Sequence, residues 1–329
     1  MKAIVVEKPS GLDGLVFRDV PEPESGPEDL LVKVHATALN RADLLQARGG
    51  YPQPGPKPAF EILGIEFAGE VVFVGPRADG FAIGDRVMGL LPGGGYAEQV
   101  VTHHRLVTRV PDRLSWHEAG AVPEVFITAH DALLQAGFVA GESVLVHAAG
   151  SGVGVATIQV AKAMGASLVI GTAGDREKLE KARTLGLDVG VNYREDDFAS
   201  AVAAATGGKG VDVVIDVIGA DYWERNLKSL AVRGRMTLVG LMSGATVHAN
   251  LGMLLQKRLQ VRGTVLRARP LEEKANATQA FAKSVLPHLA SGRITVPVDR
   301  VFPLEKAPQA LEYMSGNANF GKIVLAVSP

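Results

Sequence analysis

Ser143–Gly165 reads SVLVHAAGSGVGVATIQVAKAMG. Ser143–His147 is a short apolar run with β-branched residues, which reads as a buried strand. Ala148–Gly154 is a tight turn of small residues. From Val155 the apolar period lengthens, placing Val155, Ile158, Val160, Ala161 and Met164 on one helical face. A strand, a small-residue turn and a helix form a cradle for the pyrophosphate of a dinucleotide. Small residues let the backbone approach the phosphates, and the helix N-terminus presents open N–H groups and a positive dipole end. The spacing departs from strict G-x-G-x-x-G. Gly150 and Gly152 supply two positions, but Val155 stands at the third; the alternative anchors are Ala148, Ser151 and Gly154.

Downstream, strands and helices alternate. Strands are expected at Ser167–Thr172, Val189–Asn192, Val211–Val217, Arg235–Val239 and Gln260–Val265, with helices at Val153–Met164, Arg176–Leu185, Phe198–Thr206 and Trp223–Leu230. That rhythm implies a doubly wound parallel sheet of the Rossmann type. Residues 1–120 are different. They lack helical periodicity and carry short strands (Lys2–Glu7, Leu30–Leu39, Phe67–Val74, Arg86–Leu91, Ala97–Thr102 and Val107–Val110) between Gly/Pro turns, which suggests a small β-barrel-like domain. Trp116–Ala136 reads as one helix. The tail, with a long helix over Leu271–Leu289, a strand at Val298–Phe302, a helix at Pro308–Met314 and a strand at Lys322–Val327, is assigned back to the first domain. The division is therefore 1–120, 121–266 and 267–329.

Bulk properties narrow the function classes. The 329 residues are 47% hydrophobic and 21% charged, with a net charge of −1, which gives no basic surface for nucleic acid. No apolar run reaches membrane-spanning length, and the N-terminus turns charged at Glu7 too early for a signal peptide; a cytoplasmic location is expected. There is no cysteine, which removes disulfides, thiol catalysis and thiolate metal sites.

The end of the second strand addresses which dinucleotide binds. An NAD site places a carboxylate there, roughly 20 residues past the glycine turn; here Ala173 stands at that distance from Gly154, followed by Gly174-Asp175-Arg176-Glu177-Lys178. A 2′-phosphate favours a nearby cation, Lys178 first and Arg176 second. The competing reading makes Arg176, Lys178 and Lys181 a solvated face paired with Glu177 and Glu180, and a shift of register would let Asp175 act as the ribose acid. Tyr193, ending the third strand in Asn192-Tyr193-Arg194, suits the adenosine half.

Several segments together carry a family resemblance. Leu63-Gly64-Ile65-Glu66-Phe67-Ala68-Gly69-Glu70-Val71, Gly84-Asp85-Arg86-Val87 and His147–Gly154 resemble the medium-chain dehydrogenase/reductase superfamily. Asn40-Arg41-Ala42-Asp43, Gly49-Gly50-Tyr51-Pro52, Leu91-Pro92-Gly93-Gly94-Gly95 and Asn192-Tyr193 are similar to its zeta-crystallin-like quinone oxidoreductases, the p53-inducible quinone oxidoreductase subgroup above all. The resemblance spans essentially the whole chain. It implies a GroES-like β-barrel catalytic domain beside an NADPH-binding Rossmann domain, with NADPH in the cleft between them and a homodimer formed by extending the sheet near Gln260–Val265. It also implies zinc-free reduction of quinones or related electron-poor acceptors. Ile65 replaces the His that zinc alcohol dehydrogenases carry in G-H-E.

Carried over by residue, the resemblance puts Arg41, Leu45 and Thr128 beside the nicotinamide. Ser151, Gly152 and Val153 fall at the pyrophosphate, Gly174 and Lys178 at the 2′-phosphate, and Tyr193 at the adenosine ribose. Val217, Gly240, Leu241, Met242, Ser243, Thr264, Val265 and Leu266 line the nicotinamide half, and Asn317 closes the site. Asn40, Asp43 and Tyr51 form the acceptor pocket, with its width set by Tyr51 and residues 52–58. The proton for the reduced acceptor comes from solvent or Tyr51. An enoyl or alkenal reductase, and a non-enzymatic structural or RNA-binding role, are the rival readings.

Other conspicuous residues read as structural. Glu66 is expected to be a buried partner inside the β domain, and His147 a satisfied core histidine. His103-His104 lie on opposite strand faces and cannot share an ion. Lys257-Arg258 and Arg267-Arg269 read as solvated, with Arg267 in reach of an anionic part of cofactor or substrate.

Overall fold

The Ser143–Val146 strand is buried along its whole length. In the computed structural model, which describes residues 1–51 and 53–327, it lies inside an all-parallel, six-stranded sheet. Across the sheet the order is Val189–Asn192, Leu168–Ala173, Ser143–Val146, Val211–Asp216, Leu230–Leu238 and Gln260–Gly263. Numbered along the chain this is 3-2-1-4-5-6, the doubly wound order, and the winding reverses between Ser143–Val146 and Val211–Asp216. Loops diverge at such a reversal, and ligands of this architecture bind beyond the strand C-termini there.

The helix Gly152–Ala163 follows as expected, but it is not one-faced. All residues from Gly154 to Ala161 are buried, while Met164 is half-buried. A helix apolar on every side belongs in an interior. Gln159 is the polar residue within it that shows how this is managed: its side chain donates to Thr295 O (3.0 Å) and accepts from Thr295 N (2.9 Å). Gly154 makes the close approach to the strand possible. A Cβ there would stand 2.1 Å from Ala148 O. The sheet's interior is built from Leu145, Ile170, Val191, Val214 and Met236 against Phe198 and Leu227.

Contacts divide the chain into two units, one of residues 128–265 and 292–295, the other of 1–127, 266–291 and 296–329. The first-numbered part of the chain forms an antiparallel ribbon, Lys2–Val6 with Leu15–Asp19, and a seven-stranded sheet. Asp29–Ala38 is central to that sheet, pairing with Glu66–Val74, Gln99–His103 and the late strand Lys322–Ala326. Lys322–Ala326 in turn pairs in parallel with Val298–Pro303, so the tail completes this unit.

Four local expectations differ. Arg41–Ala47 is a helix in a region read as non-helical, because seven residues are too few to show a 3.6 period. Leu15–Asp19 is an unforeseen strand. Trp116–Ala136 is two helices, Trp116–Gly120 and Pro123–Gln135, because Pro123 starts a helix more readily than it continues one. Leu271–Leu289 likewise breaks at Val285. No described helix is long and apolar enough to cross a membrane.

Gly154→Ala forces a methyl group into backbone rather than into a movable side chain. We expect it to destabilise the protein by about 2–3 kcal/mol and lower Tm by roughly 5–10 °C, measured by differential scanning calorimetry.

Candidate functional site

Because the six strands are parallel, the loops after their C-termini share one edge of the sheet. Those loops carry Ser151, Gly152 and Val153, then Gly174, Tyr193, Val217, Gly240–Ser243 and Thr264. Ala148 adopts φ 52° at the start of the glycine turn. Ser151 is the N-cap of Gly152–Ala163, its Oγ accepting from Gly154 N at 3.0 Å. The hydroxyl is thereby turned along the helix start, with its own hydrogen available to donate. The amides of Gly152 and Val153 lie in the first turn, where no intrahelical acceptor exists. This is the donor set a pyrophosphate requires.

A cationic corner adjoins the cradle. A Cβ on Gly150 would meet Lys178 Cδ at 3.0 Å, so the Lys178 side chain runs over the turn. A Cβ on Gly174 would meet the Tyr193 hydroxyl at 2.6 Å and Arg194 Nε at 2.9 Å. Gly174 and Tyr193 thus lie together with Arg194, while Lys178 lies over Gly150. Arg194 is an addition; the cation directly after Tyr193 was its only signal. Asp175 is the N-cap of Arg176–Arg183, its Oδ1 accepting from Glu177 N (2.7 Å) and Lys178 N (3.4 Å), which engages one of the two carboxylate oxygens with the helix. Arg176 pairs with Glu195 at 2.6 Å and is exposed, while Lys181 pairs with Glu177 and Arg183 with Glu180. The solvated-face reading therefore fits Arg176 and Lys181.

Beneath the cradle lies a buried polar chain. His147 Nε2 donates to Asn226 Oδ1 (2.6 Å), Asn226 Nδ2 donates to Asp216 Oδ2 (3.0 Å), and Thr172 Oγ1 donates to His147 Nδ1 (2.9 Å). Burial pushes His147 down to about 4, so the ring is neutral. Asp216 accepts from Ile218 N (2.7 Å) and Gly219 N and so shapes the Val217 turn. That turn is tied to the next loop by Met242 N donating to Val217 O (3.3 Å) and Ser243 N to Ile218 O (2.8 Å). Leu241, Met242 and Val265 are exposed, and Thr128 is buried. Thr264 Oγ1 donates to Asp131 Oδ2 at 2.9 Å. Lys257, expected to be solvated, instead donates to the carbonyls of Leu227, Lys228 and Leu230; cations are favoured at a helix C-terminus such as that of Trp223–Ser229.

The other unit holds a sealed ionic knot. Lys322 Nζ donates to Glu66 Oε1 (2.8 Å), Asn40 Oδ1 (2.7 Å) and Leu39 O (2.8 Å). Asn40 Nδ2 also donates to Glu66 Oε1 (2.8 Å), and Glu124 N donates to Glu66 Oε2 (2.8 Å). Asp43 Oδ2 accepts from Asn40 N (2.7 Å) and Tyr96 OH (2.8 Å), while its Oδ1 is buried without a partner. Burial pushes the Asp43 carboxyl up to about 6. The structural role expected of Glu66 is the one it has. Lys322 escaped the sequence reading, since a lysine opening an apolar strand carries no sign of being buried. Along the Arg41–Ala47 helix, Arg41 donates to Asn317 Oδ1, and Leu45 is exposed. Pro52, which opens the loop expected to set the pocket width, lies outside the described residues.

Tyr51 lies 4.7 Å beneath the Arg267 guanidinium. Arg267, read as solvated, is only 7% exposed, because it donates to Pro92 O, Tyr51 O and Gln46 Oε1. It borders a partly open cavity that Ile65, Leu91 and Leu266 also line.

Residues 26–112 match the family model of the alcohol dehydrogenase GroES-like domain, and residues 152–283 that of the zinc-binding dehydrogenases. The chain is 34% identical to a quinone oxidoreductase of Pseudomonas aeruginosa, over 96% of each chain. It is also 34% identical to a 2-haloacrylate reductase of a Burkholderia species, over 98% of each. The chain belongs to the quinone oxidoreductase-like medium-chain dehydrogenases/reductases. The crystal structure of Escherichia coli quinone oxidoreductase complexed with NADPH superposes with a TM-score of 0.87 at 31% identity, covering 99% of this chain and all of that one. Within this medium-chain family frame, Ile65 supplies no metal ligand, and no cluster of three or more potential metal-binding side chains occurs among the described residues.

Removing one member of a buried ion pair costs about 3–5 kcal/mol. Lys322→Met is expected to lose that much in urea denaturation, since it strips the sealed Glu66 of its cation. Asp43 gives a pH test. Its folded pKa lies above the unfolded value, so the native state holds the extra proton and this group weakens the fold as pH rises from about 4 to about 6. Asp43→Asn should gain on the wild type by on the order of 2 kcal/mol between pH 4 and 7 in stability curves.

Proposed function

We propose that this protein is a zinc-independent, NADPH-dependent reductase of quinones and related electron-poor acceptors. The observation that carries the coenzyme choice is the corner at Gly174. Asp175, which follows the second strand, caps a helix through Oδ1, while Tyr193 and Arg194 flank Gly174 and Lys178 lies over Gly150. A 2′-phosphate at this corner would meet these cations. The cradle fits the pyrophosphate, with Ser151, Gly152 and Val153 as donors. Val217, Gly240–Ser243, Thr264 and Val265, with Thr128 of the same unit, would attend the nicotinamide half.

When bound, NADPH supplies a hydride; the acceptor's other proton comes from a protein group or solvent. The chain's part is to align, exclude water and hold protons. Tyr51 is the acceptor-facing residue in this reading. Burial raises its phenol, so it keeps a proton at neutral pH. Asn40 and Asp43 act by positioning. The Asn40 side chain and Asp43 Oδ2 are engaged with Lys322, Glu66, Tyr96 and the Asn40 amide and fix the Arg41–Ala47 helix.

Reduction of an activated alkene is the second reading, favoured by the likeness to a 2-haloacrylate reductase. NADPH oxidation assayed against quinones and α,β-unsaturated carbonyls separates the two. We further propose a homodimer through the Gln260–Gly263 strand, which pairs on one side only among the described residues.

Lys178→Ala is expected to raise KM for NADPH roughly tenfold, as loss of one charge-assisted contact would, with little change for NADH. Equal effects on both coenzymes would remove the 2′-phosphate assignment.

A further inference from the structure

The cavity beside Tyr51 is more positive than its apolar wall requires. Ile65, Leu91 and Leu266 line it, together with Glu124, Arg267 and Lys274, so two cations face one acid. Arg267 makes three side-chain hydrogen bonds, to Pro92 O (2.6 Å), Tyr51 O (2.9 Å) and Gln46 Oε1 (2.8 Å). All three end on neutral oxygens. A guanidinium has five N–H donors, so two are left over. Lys274 is half-buried on the same cavity. Burial, then the neighbouring Arg267 charge, push its ammonium below the ordinary value. Among the described residues no carboxylate is bonded to either side chain. Glu124, Asp43 and Glu61 act on Arg267 through space, but a buried guanidinium with no directly bonded anion, next to a second desolvated cation, is still a costly arrangement. An anion entering the cavity offsets that cost.

We propose that this cavity selects acceptors that carry a carboxylate, held by Lys274 together with Arg267, while the electron-poor ring or alkene lies against Ile65, Leu91 and Leu266. The inference rests on the reductase reading above and narrows its substrate class. Neutral acceptors enter the same space but leave both cations unmatched.

The test is a matched pair, 1,4-benzoquinone-2-carboxylate and its methyl ester. With the acid the reaction is quinone carboxylate plus NADPH plus one proton giving 2,5-dihydroxybenzoate and NADP⁺. We expect the acid to exceed the ester in kcat/KM by about tenfold, the size of one charge-assisted contact. Lys274→Met should erase most of that ratio and Lys274→Arg should restore it, with thermal melts confirming that both variants fold. Titration calorimetry should show 2,5-dihydroxybenzoate binding the coenzyme-free protein more tightly than its methyl ester does. Equal kcat/KM for acid and ester, or a ratio untouched by Lys274→Met, overturns the inference and leaves the reductase reading standing. Absence of NADPH oxidation with either compound overturns both.

Discussion

One ammonium group, that of Lys322, organises the unit that holds Tyr51. It is 4% exposed and faces a carboxylate that is wholly buried. Such a pair is tolerable only when every donor is satisfied, and the three hydrogens of Lys322 find Glu66, Asn40 and Leu39. Through those partners the knot fixes the end of the Asp29–Ala38 strand and the cap of the Arg41–Ala47 helix. It also fixes the start of Glu66–Val74, and through Glu66 Oε2 the first turn of Pro123–Gln135. Anchoring Glu66 anchors its neighbour Ile65, which lines the cavity. In a zinc enzyme of this family a metal would organise the corresponding motif; here a lysine, a glutamate and an asparagine meet one another's charge and hydrogen-bonding needs.

The other unit buries a carboxyl group among neutral donors. His147, Asn226 and Thr172 are buried, and the chain of hydrogen bonds that joins them ends on Asp216, held by two backbone amides. A neutral imidazole donates with one nitrogen and accepts with the other, so it joins the Leu168–Ala173 strand to the Trp223–Ser229 helix beneath the glycine turn. The loops above can then carry small and exposed residues, because their geometry is set from below.

Much of this was legible in the sequence. Strand–turn–helix patterning located the cradle, because the close approach at Gly154 admits no side chain and a parallel strand must be apolar throughout. Gly174 and Tyr193 do lie together, since strand C-termini in a parallel sheet share an edge whatever the loops contain. The reading failed where a residue's partner lies far along the chain. Lys322 and Arg267 look like ordinary surface cations, and their burial is decided by Glu66 and by the carbonyls of Tyr51 and Pro92. Arg41–Ala47 failed for another reason: its seven residues are too few to show a period, although Leu44 and Ala47 pack into the core and Asp43 Oδ2 caps its start.

The return of the tail also bears on how the chain matures. During synthesis the segment 128–265 emerges lacking only residues 292–295 of its unit, whereas the earlier segment must wait for its last strand. Until Lys322 arrives, Glu66 has no cation to accompany it out of water, and the Asp29–Ala38 strand has a bare edge where Lys322–Ala326 belongs. A nascent or clipped chain lacking those final residues would present that edge to its neighbours, making the incomplete first unit, rather than the cradle, the aggregation-prone part of the molecule.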